Sequence, residues 1–180
     1  MRRNEEGGAA GAGVPPVQEN AGETPALRPL LLLPIVARSA TIPWMHEIFE
    51  HTADVGIRAR ADTVEELFAE AARGLFALMI ENLDDVRTVE EVTFRVSGDD
   101  VEELFHDWLA ELLFAFNARR LALAEFHVSL ADSELNATAR GEPIDPSRHE
   151  IAVEVKAITW CGLKVQRDPD GWLAEVVVDI

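Results

Sequence analysis

One aspartate and one histidine lie in an otherwise apolar stretch, residues 51–57 (HTADVGI). Alternation with period two predicts a strand here, because successive side chains of a strand point to opposite faces. His51 then shares the expected core face with Val55, and Asp54 shares the other face with Gly56. Glycine has no side chain, so a ligand or another group has room to approach beside the carboxylate. An ordinary half-exposed aspartate is the alternative, and this stretch alone favours it.

Further oxygen atoms come together at the end of the sequence, where an apolar strand carries Asp179 followed by Ile180. If this strand is docked in a sheet, the Asp179 side chain and the Ile180 carboxylate are held in place. Asp54 nearby would complete a group of three anions, which is unfavourable unless a cation lies among them. Ligands that are all oxygen favour calcium, magnesium or manganese over zinc. A frayed end with two solvated aspartates is the alternative, and spacing alone does not choose between them.

Two further groups could do chemistry. One loop carries Glu142, Asp145, Arg148 and His149. An exposed polar loop with a local arginine–carboxylate contact is the interpretation that we favour for it. Lys156 lies on the polar side of a predicted strand, where it could pair with one of the aspartates or be solvated.

Zinc and enzymatic motifs are weak or missing in the sequence. His51, His149 and Cys161 could bind zinc in principle, but they do not have the spacing of zinc ligands. A single cysteine excludes an intrachain disulfide and fits a reducing compartment. No nucleophile elbow, phosphate loop, dinucleotide fingerprint or HExxH helix occurs, so nothing in the sequence marks an enzyme.

The charge of the chain is strongly acidic. Four arginines before residue 44 balance four glutamates, so the whole net charge of −17 falls on residues 44–180. Such a domain repels phosphate backbones, and we expect no direct binding of nucleic acid. The apolar run 30–36 is too short to span a bilayer. The sequence therefore predicts a soluble, cytoplasmic protein.

The chain divides near residue 44. Residues 1–43 contain five glycines and six prolines without a period, a composition that predicts a disordered leader. Strand-like alternation begins abruptly at Met45, and we hypothesise that translation starts there. Residues 44–180 are predicted to form one domain.

Two helices and several strands are predicted in this domain. Thr63 and Glu66 form a capping box before the first helix, and Asp100 lies in the turn that caps the second. Strands are predicted at 46–50, 54–60 and 91–97, then from 121 to 139 with a hairpin or a bend at residues 132–133, and at 151–157, 162–167 and 172–180. Two helices within a mostly antiparallel sheet indicate an α+β, two-layer fold.

Several of these stretches together resemble the archease family. They are residues 51–56 (HTADVG), 141–145 (GEPID) with Arg148 and His149, 156–160 (KAITW) and 178–180 (VDI). The resemblance runs from His46 to Ile180 in the family's order. One departure is Cys161, where the family usually has histidine.

The resemblance implies a small α+β protein that is not itself a catalyst. Archeases are accessory factors of the RtcB-type RNA-splicing ligase, which joins RNA ends with GTP and manganese, and they assist its guanylylation and turnover. The family's metal site matches Asp54, Asp179 and Ile180. We expect calcium there, with magnesium or manganese as alternatives, and a second tier of functional residues at His51, Glu142, His149 and Lys156.

Two other functions stay open. The first is a chaperone-like module that changes the oligomeric state of other proteins. The second is a small metal-dependent hydrolase built on Asp54 and Asp179, for which His51 or His149 would have to serve as the base.

Overall fold

The computed structural model describes residues 45–51 and 54–180, without the side chains of Glu50 and His51. The predicted leader, residues 1–43, lies outside the described residues. Its disorder and a translation start at Met45 therefore stay predictions.

Two helices and eight strands make up the described part of the chain. The helices are α1 (Val64–Met79) and α2 (Val101–Asn117), and a short 3-10 helix spans Leu83–Asp85. The strands are β1 (Met45–His51), β2 (Asp54–Ala61), β3 (Glu90–Ser97), β4 (Leu121–Ala131), β5 (Glu134–Pro143), β6 (Ala157–Ile158), β7 (Lys164–Asp168) and β8 (Gly171–Asp179).

The strands form two sheets in which every pairing is antiparallel. The larger sheet has the order β1-β2-β8, and both β6 and β7 pair with the remaining edge of β8, at its end and its beginning respectively. The smaller sheet has the order β3-β5-β4. The α+β class with two helices is thus confirmed, with the antiparallel strands divided between two sheets.

Local sequence signals fix the starts of both helices. The Thr63 side chain accepts from the Glu66 N–H, and the Glu66 carboxylate accepts from the Thr63 N–H, which completes the predicted capping box. At α2, the Asp100 carboxylate accepts from the N–H groups of Glu102 and Glu103. These bonds satisfy N–H groups that have no partner inside the helix.

The core lies where the helices meet the sheets. Helix α1 contacts β1, β2 and β8 of the larger sheet and β4 of the smaller one. The Trp108 ring is fully buried, and its indole N–H donates to the carbonyl of Phe68 over 3.1 Å. Ile57 of β2 packs against Gly74 of α1, so Asp54 and the other even-numbered residues of β2 lie on the face turned away from α1.

One strand prediction is wrong. Residues 151–157 are not a strand: Ile151 forms only an isolated bridge with Ile80, and the regular pairing is limited to Ala157 and Ile158. The carbonyl of Val155 accepts from the Asn117 side chain of α2. Of residues 151–157 only Val155 is buried, and the backbone N–H groups of Ala152 and Lys156 donate to Met79 and Asp179, so the segment has scattered bonds but no regular strand pairing. No helix in the described ranges is long and apolar enough to cross a membrane.

Candidate metal centre

Strand register brings the two predicted aspartates side by side. The last recorded pairs of β2 and β8 join Val55 to Val178, and one further step places Asp54 opposite Asp179. Directly opposed side chains of an antiparallel pair have Cβ atoms about 5 Å apart. The prediction that the end of the chain comes to rest beside Asp54 therefore agrees with this register.

The same row of the sheet continues on both sides. The register of β1 pairs His51 with Asp54, and that of β6 pairs Ala157 with Asp179. Asp54 is half-buried and Asp179 is exposed. Two carboxylates that face each other across a strand pair repel, so this edge of the sheet favours a cation.

Lys156 supplies one positive charge at this edge. Its ammonium donates to a main-chain oxygen of Ile180 over 2.8 Å, and its backbone N–H donates to the Asp179 carbonyl over 2.8 Å. Of the two predicted alternatives, pairing with an aspartate or solvation, neither describes the contact made. These bonds hold residues 179–180 against residues 155–158, here called the β6 segment.

The donor set fits a hard cation. Two carboxylates and a main-chain oxygen are the ligands that calcium and magnesium take in proteins, with water completing the shell. Within the described ranges, no three side chains of His, Cys, Asp or Glu come together as a metal site. A cation bound here would therefore need the Ile180 oxygen in addition to Asp54 and Asp179.

The single strand predicted through residues 51–57 is wrong. His51 is predicted on it together with Val55, although the separate strands predicted at 46–50 and 54–60 already leave a break at this point. The chain instead reverses between β1 and β2, and the register makes His51 the partner of Asp54. Residues 52–53, which join the strands, lie outside the described residues. Alternation alone did not reveal that the chain reverses here, because a connection of two residues is too short to appear as a loop in the sequence pattern.

Gly56 follows Asp54 on the same face of β2. It lies between the row formed by Asp54 and Asp179, here called the aspartate row, and the rest of that sheet face. It pairs with Phe49, and an added Cβ at Gly56 would lie 2.1 Å from a carbon of the Phe49 ring. The space predicted beside Asp54 is therefore used by an aromatic ring of the same sheet. Arg58 lies on the ring as well, with its guanidinium carbon 4.9 Å from the ring centre.

Charges of alternating sign form the next row. The guanidinium of Arg58 donates to Glu47 over 3.1 Å and to Glu175 over 2.6 Å, and Lys164 donates to Glu175 over 2.6 Å. The hydrogen bond from Arg58 to Glu175 raises the pKa of the arginine. Burial raises the pKa of Glu175, but the bonds from Lys164 and Arg58 outweigh it and lower that pKa overall. No sequence signal predicted this row, because it depends on the register of four strands.

Glu142 and His149 form a separate, buried cluster. One oxygen of Glu142 accepts from the backbone N–H of Arg87 over 2.8 Å, and the other accepts from the Arg148 guanidinium over 2.8 Å. The N–H of Arg87, together with Arg148 and His149, lowers the pKa of Glu142 to about 2. The arginine–carboxylate contact is as predicted, but Glu142 and His149 are only 7% and 3% exposed.

The tautomer of His149 follows from its two contacts. The backbone N–H of Asp145 donates to Nδ1 over 2.9 Å, so Nδ1 carries no proton. Nε2 therefore carries it and donates to Glu142 over 3.2 Å. A ring held by both nitrogens in a buried site is a structural contact. In the same loop, hydrogen bonds from Ser147 lower the pKa of Asp145.

The predicted residues thus fall into two groups. Asp54, Asp179, Ile180 and Lys156 meet at one edge of the larger sheet. The hydrogen bonds of Glu142 and His149 stay within the cluster around the loop, and none recorded for the described ranges reaches the aspartates. Of the candidate zinc ligands, Cys161 is exposed, whereas His149 is buried with both ring nitrogens already in hydrogen bonds.

Comparison with known proteins finds a protein family and relatives that match residues 46–180, the part of the chain that carries the fold. The family model described as "Archease protein family (MTH1598/TM1083)" matches residues 46–180. A protein archease of Methanopyrus kandleri is 44% identical over 143 residues, which cover 77% of this chain and all of the relative. A protein archease of Pyrococcus furiosus is 39% identical over 142 residues, covering 76% of this chain and 98% of the relative.

Two solved structures share the fold. The solution structure of Methanobacterium thermoautotrophicum protein 1598 has a TM-score of 0.68 and 32% identity, covering 75% of this chain and 98% of that one. The crystal structure of a Thermotoga maritima archease, described as a possible chaperone, has a TM-score of 0.53 and 27% identity, covering 76% and 98%.

Two antiparallel sheets packed with two helices, and acidic residues at the end where β2 meets β8, define a small α+β protein. Its match to the family model and to its relatives extends from His46 to the end of the sequence. The chain belongs to the archease family.

Proposed function

We propose that this chain is a metal-binding accessory protein that activates an RtcB-type RNA ligase in tRNA splicing or RNA repair. The observation that supports it is the pairing of β2 with β8, whose register, extended by one residue, places Asp54 opposite Asp179 and near the main-chain oxygen of Ile180. These three groups would hold a divalent cation, with calcium as the first candidate and magnesium or manganese as alternatives. A bound cation would offset the repulsion between the carboxylates and offer open coordination positions to a partner.

The residues of the chain have separable roles in this proposal. Asp54 and Asp179 would provide charge, and Lys156 would keep the Ile180 oxygen in position through its 2.8 Å hydrogen bond. The charge row of Arg58 and Glu175 would keep β2 and β8 in register. The acidic surface suits a helper that meets a basic RNA-handling protein without competing for the RNA itself.

A ligation assay under multiple turnover tests the function. The purified RtcB-type ligase is incubated with GTP, manganese and an excess of broken RNA, with and without this protein. We expect the protein to raise the number of products formed per ligase molecule, and Asp54→Asn to reduce that gain. Asp170→Asn, in the exposed turn before β8, is the matched control and should behave as wild type. An unchanged yield on adding wild-type protein would contradict the proposal.

A second candidate function is chaperone-like action on the oligomeric state of other proteins. It is favoured by the description of the Thermotoga maritima archease as a possible chaperone. The two functions differ in their need for the ligase. Suppression of aggregation of an unrelated client such as citrate synthase, together with no effect on ligation, would favour the chaperone.

A further inference from the structure

An apolar groove runs between α2 and β6, next to the candidate metal centre. Its volume is about 360 Å³, and it is lined by Ala110, Leu113, Phe114, Asn117, Lys156, Ala157 and Ile158. The helical residues recur three or four positions apart, so they form one face of α2. Lys156 also donates to Ile180, which makes the groove continuous with the metal centre.

Side chains of α2 close the free edge of the β6 segment. An amide N–H of Asn117 donates to the carbonyl of Val155, and Nε2 of His106 lies 3.3 Å from the carbonyl of Ile158. The side chains of Asn117 and His106 thus lie over the outer edge of residues 155–158, and a strand that extended the sheet there would have to displace them. We therefore expect an occupant of the groove to bind through its side chains.

Two aromatic rings are exposed beside this groove. Phe114 is 53% exposed, and Trp160, which follows β6 by two residues, is 57% exposed. Trp160 stacks on His106 with ring centres 4.2 Å apart and planes 13° apart, and the Arg119 guanidinium lies 5.5 Å from the centre of the Phe114 ring. Neighbouring side chains thus hold both rings in place while leaving them open to solvent. Oriented, exposed aromatics are typical of protein interfaces, where they act as anchors.

Acidic side chains flank the groove. A second hollow shares Ala110 with it and is lined in part by Asp107 and Glu111. Arg95 also lines that hollow, but both oxygens of Glu134 bind its guanidinium, so its charge is already paired. Helix α2 contains four acidic residues and no lysine or arginine. This charge disfavours a nucleic acid and favours a basic protein surface.

We propose that the α2–β6 groove is the docking surface for a segment of a partner protein that has an apolar anchor side chain flanked by lysine or arginine. The anchor would fill the groove between Phe114 and Ile158, and the basic residues would face Asp107 and Glu111. This inference rests on the proposed function, in which the partner is the RtcB-type ligase. It assigns the ligase contact to α2 and Trp160, which lie beside the metal centre without contributing to it.

Binding measurements on exposed positions test the groove. Isothermal titration calorimetry of the purified ligase with the full chain is compared for wild type, Phe114→Ala and Trp160→Ala. We expect each variant to weaken binding by about tenfold or more, as truncation of an interface anchor does. Val89→Ala is the matched control, because Val89 is an apolar residue that is 71% exposed and does not line the groove. Its affinity should stay within about twofold of wild type.

A charge reversal tests the acidic flank. Glu111→Lys should weaken ligase binding and reduce its dependence on salt, because it removes an attraction to basic residues. Glu81→Lys, at an exposed position after α1, makes the same change in net charge away from the groove and should have little effect. Equal effects of the two reversals would show that only the overall charge matters and would overturn the assignment of the flank.

The outcomes separate this inference from the function on which it rests. If the wild-type chain does not bind the ligase, the ligase as partner and the groove as its contact both fail. If it binds and raises ligation, but Phe114→Ala and Trp160→Ala bind as tightly as wild type, only the groove is wrong. Two results identify another occupant and also overturn the inference: a dimer in sedimentation that Phe114→Ala dissociates, or quenching of tryptophan fluorescence by a single-stranded oligonucleotide that is lost in Trp160→Ala.

Discussion

Glu142 and Asp179 both lie at the end of a strand, but their surroundings assign them opposite roles. Three donors, from Arg87, Arg148 and His149, satisfy the Glu142 carboxylate in a buried site. Asp179 is exposed, and the register of β2 and β8, extended by one residue, places the half-buried Asp54 opposite to it. A buried carboxylate with donors at both oxygens stabilises the fold, whereas two neighbouring like charges leave room for a cation.

The first prediction concerns Glu142→Gln. The amide nitrogen would face the Arg148 guanidinium or another donor, so we expect a loss of about 2 kcal/mol in the free energy of unfolding at pH 7. Urea denaturation followed by circular dichroism measures it. Glu91→Gln is the control, because the Glu91–Arg140 pair is half exposed on the smaller sheet and should matter by less than about 0.5 kcal/mol. Equal losses from both variants would contradict the buried role.

The pH dependence of this difference has a definite sign. The pKa of Glu142 falls from 4.5 to about 2 on folding, so the folded state favours the ionised carboxylate. Its stabilisation is fully present above about pH 4.5 and is lost as the pH falls through 4.5 towards 2. The gap between wild type and Glu142→Gln should therefore narrow over that range. A constant gap from pH 6 to pH 2.5 would show that ionisation of Glu142 does not stabilise the fold.

At the scale of elements, the pairing of β1 with β2 prepares the face that carries the aspartates. Phe49 covers Gly56, and Arg58 covers Phe49, so this stack fills the space between the aspartate row and the charge row. A ring placed over a glycine on the neighbouring strand also fixes the register, because a shift by one residue would put a side chain under it.

The second prediction is a coupling between Gly56 and Phe49. Gly56→Ala should destabilise the protein by about 1–2 kcal/mol, because the new methyl group displaces the ring. In a Phe49→Ala background the same substitution should cost less, with a coupling of about 1 kcal/mol in a double-mutant cycle. Additive losses would mean that Gly56 is needed for a reason other than the ring.

The sequence predicts elements whose signals are local. The capping box of Thr63 and Glu66 and the Asp100 cap lie within a few residues of what they fix, and both helices begin where expected. The turn signal at residues 168–171 is local too, and the structure has a hairpin of β7 and β8 there. Alternation in residues 151–157 misled the strand prediction, because a segment that alternates apolar and polar residues needs a neighbouring strand to become one, and here only an isolated bridge and the pairing of Ala157 form. The carbonyl of Val155 binds Asn117, a contact that no local pattern contains.

Part of the candidate site could also be predicted, because residue type is a signal that the sequence contains directly. Asp54 and Asp179 stand out by residue type in apolar strands, but their placement side by side depends on the pairing of β2 with β8, two strands that are far apart in the sequence. His51 was assigned to the same strand as Val55 because the reversal between β1 and β2 was not recognised. The buried state of Glu142 and His149 and the open rings of Phe114 and Trp160 depend on packing between distant segments.

At the scale of the whole molecule, the net charge of −17 affects binding both at the metal site and at the groove. Such a charge concentrates divalent cations at the surface in general, so weak binding of calcium alone would not demonstrate a site. A specific site has to depend on Asp54 and Asp179 more than on other acidic residues. Removing either charge therefore has to lower the calcium affinity more than removing one negative charge elsewhere in the molecule does.

A calorimetric titration of calcium at physiological ionic strength is therefore the most direct test of the metal centre. The account predicts one site per chain in the wild type and a loss of affinity of about tenfold or more in both Asp54→Asn and Asp179→Asn. Asp170→Asn removes the same charge from an exposed turn and should stay within about twofold of wild type. Identical isotherms for the wild type and all three variants would contradict the account.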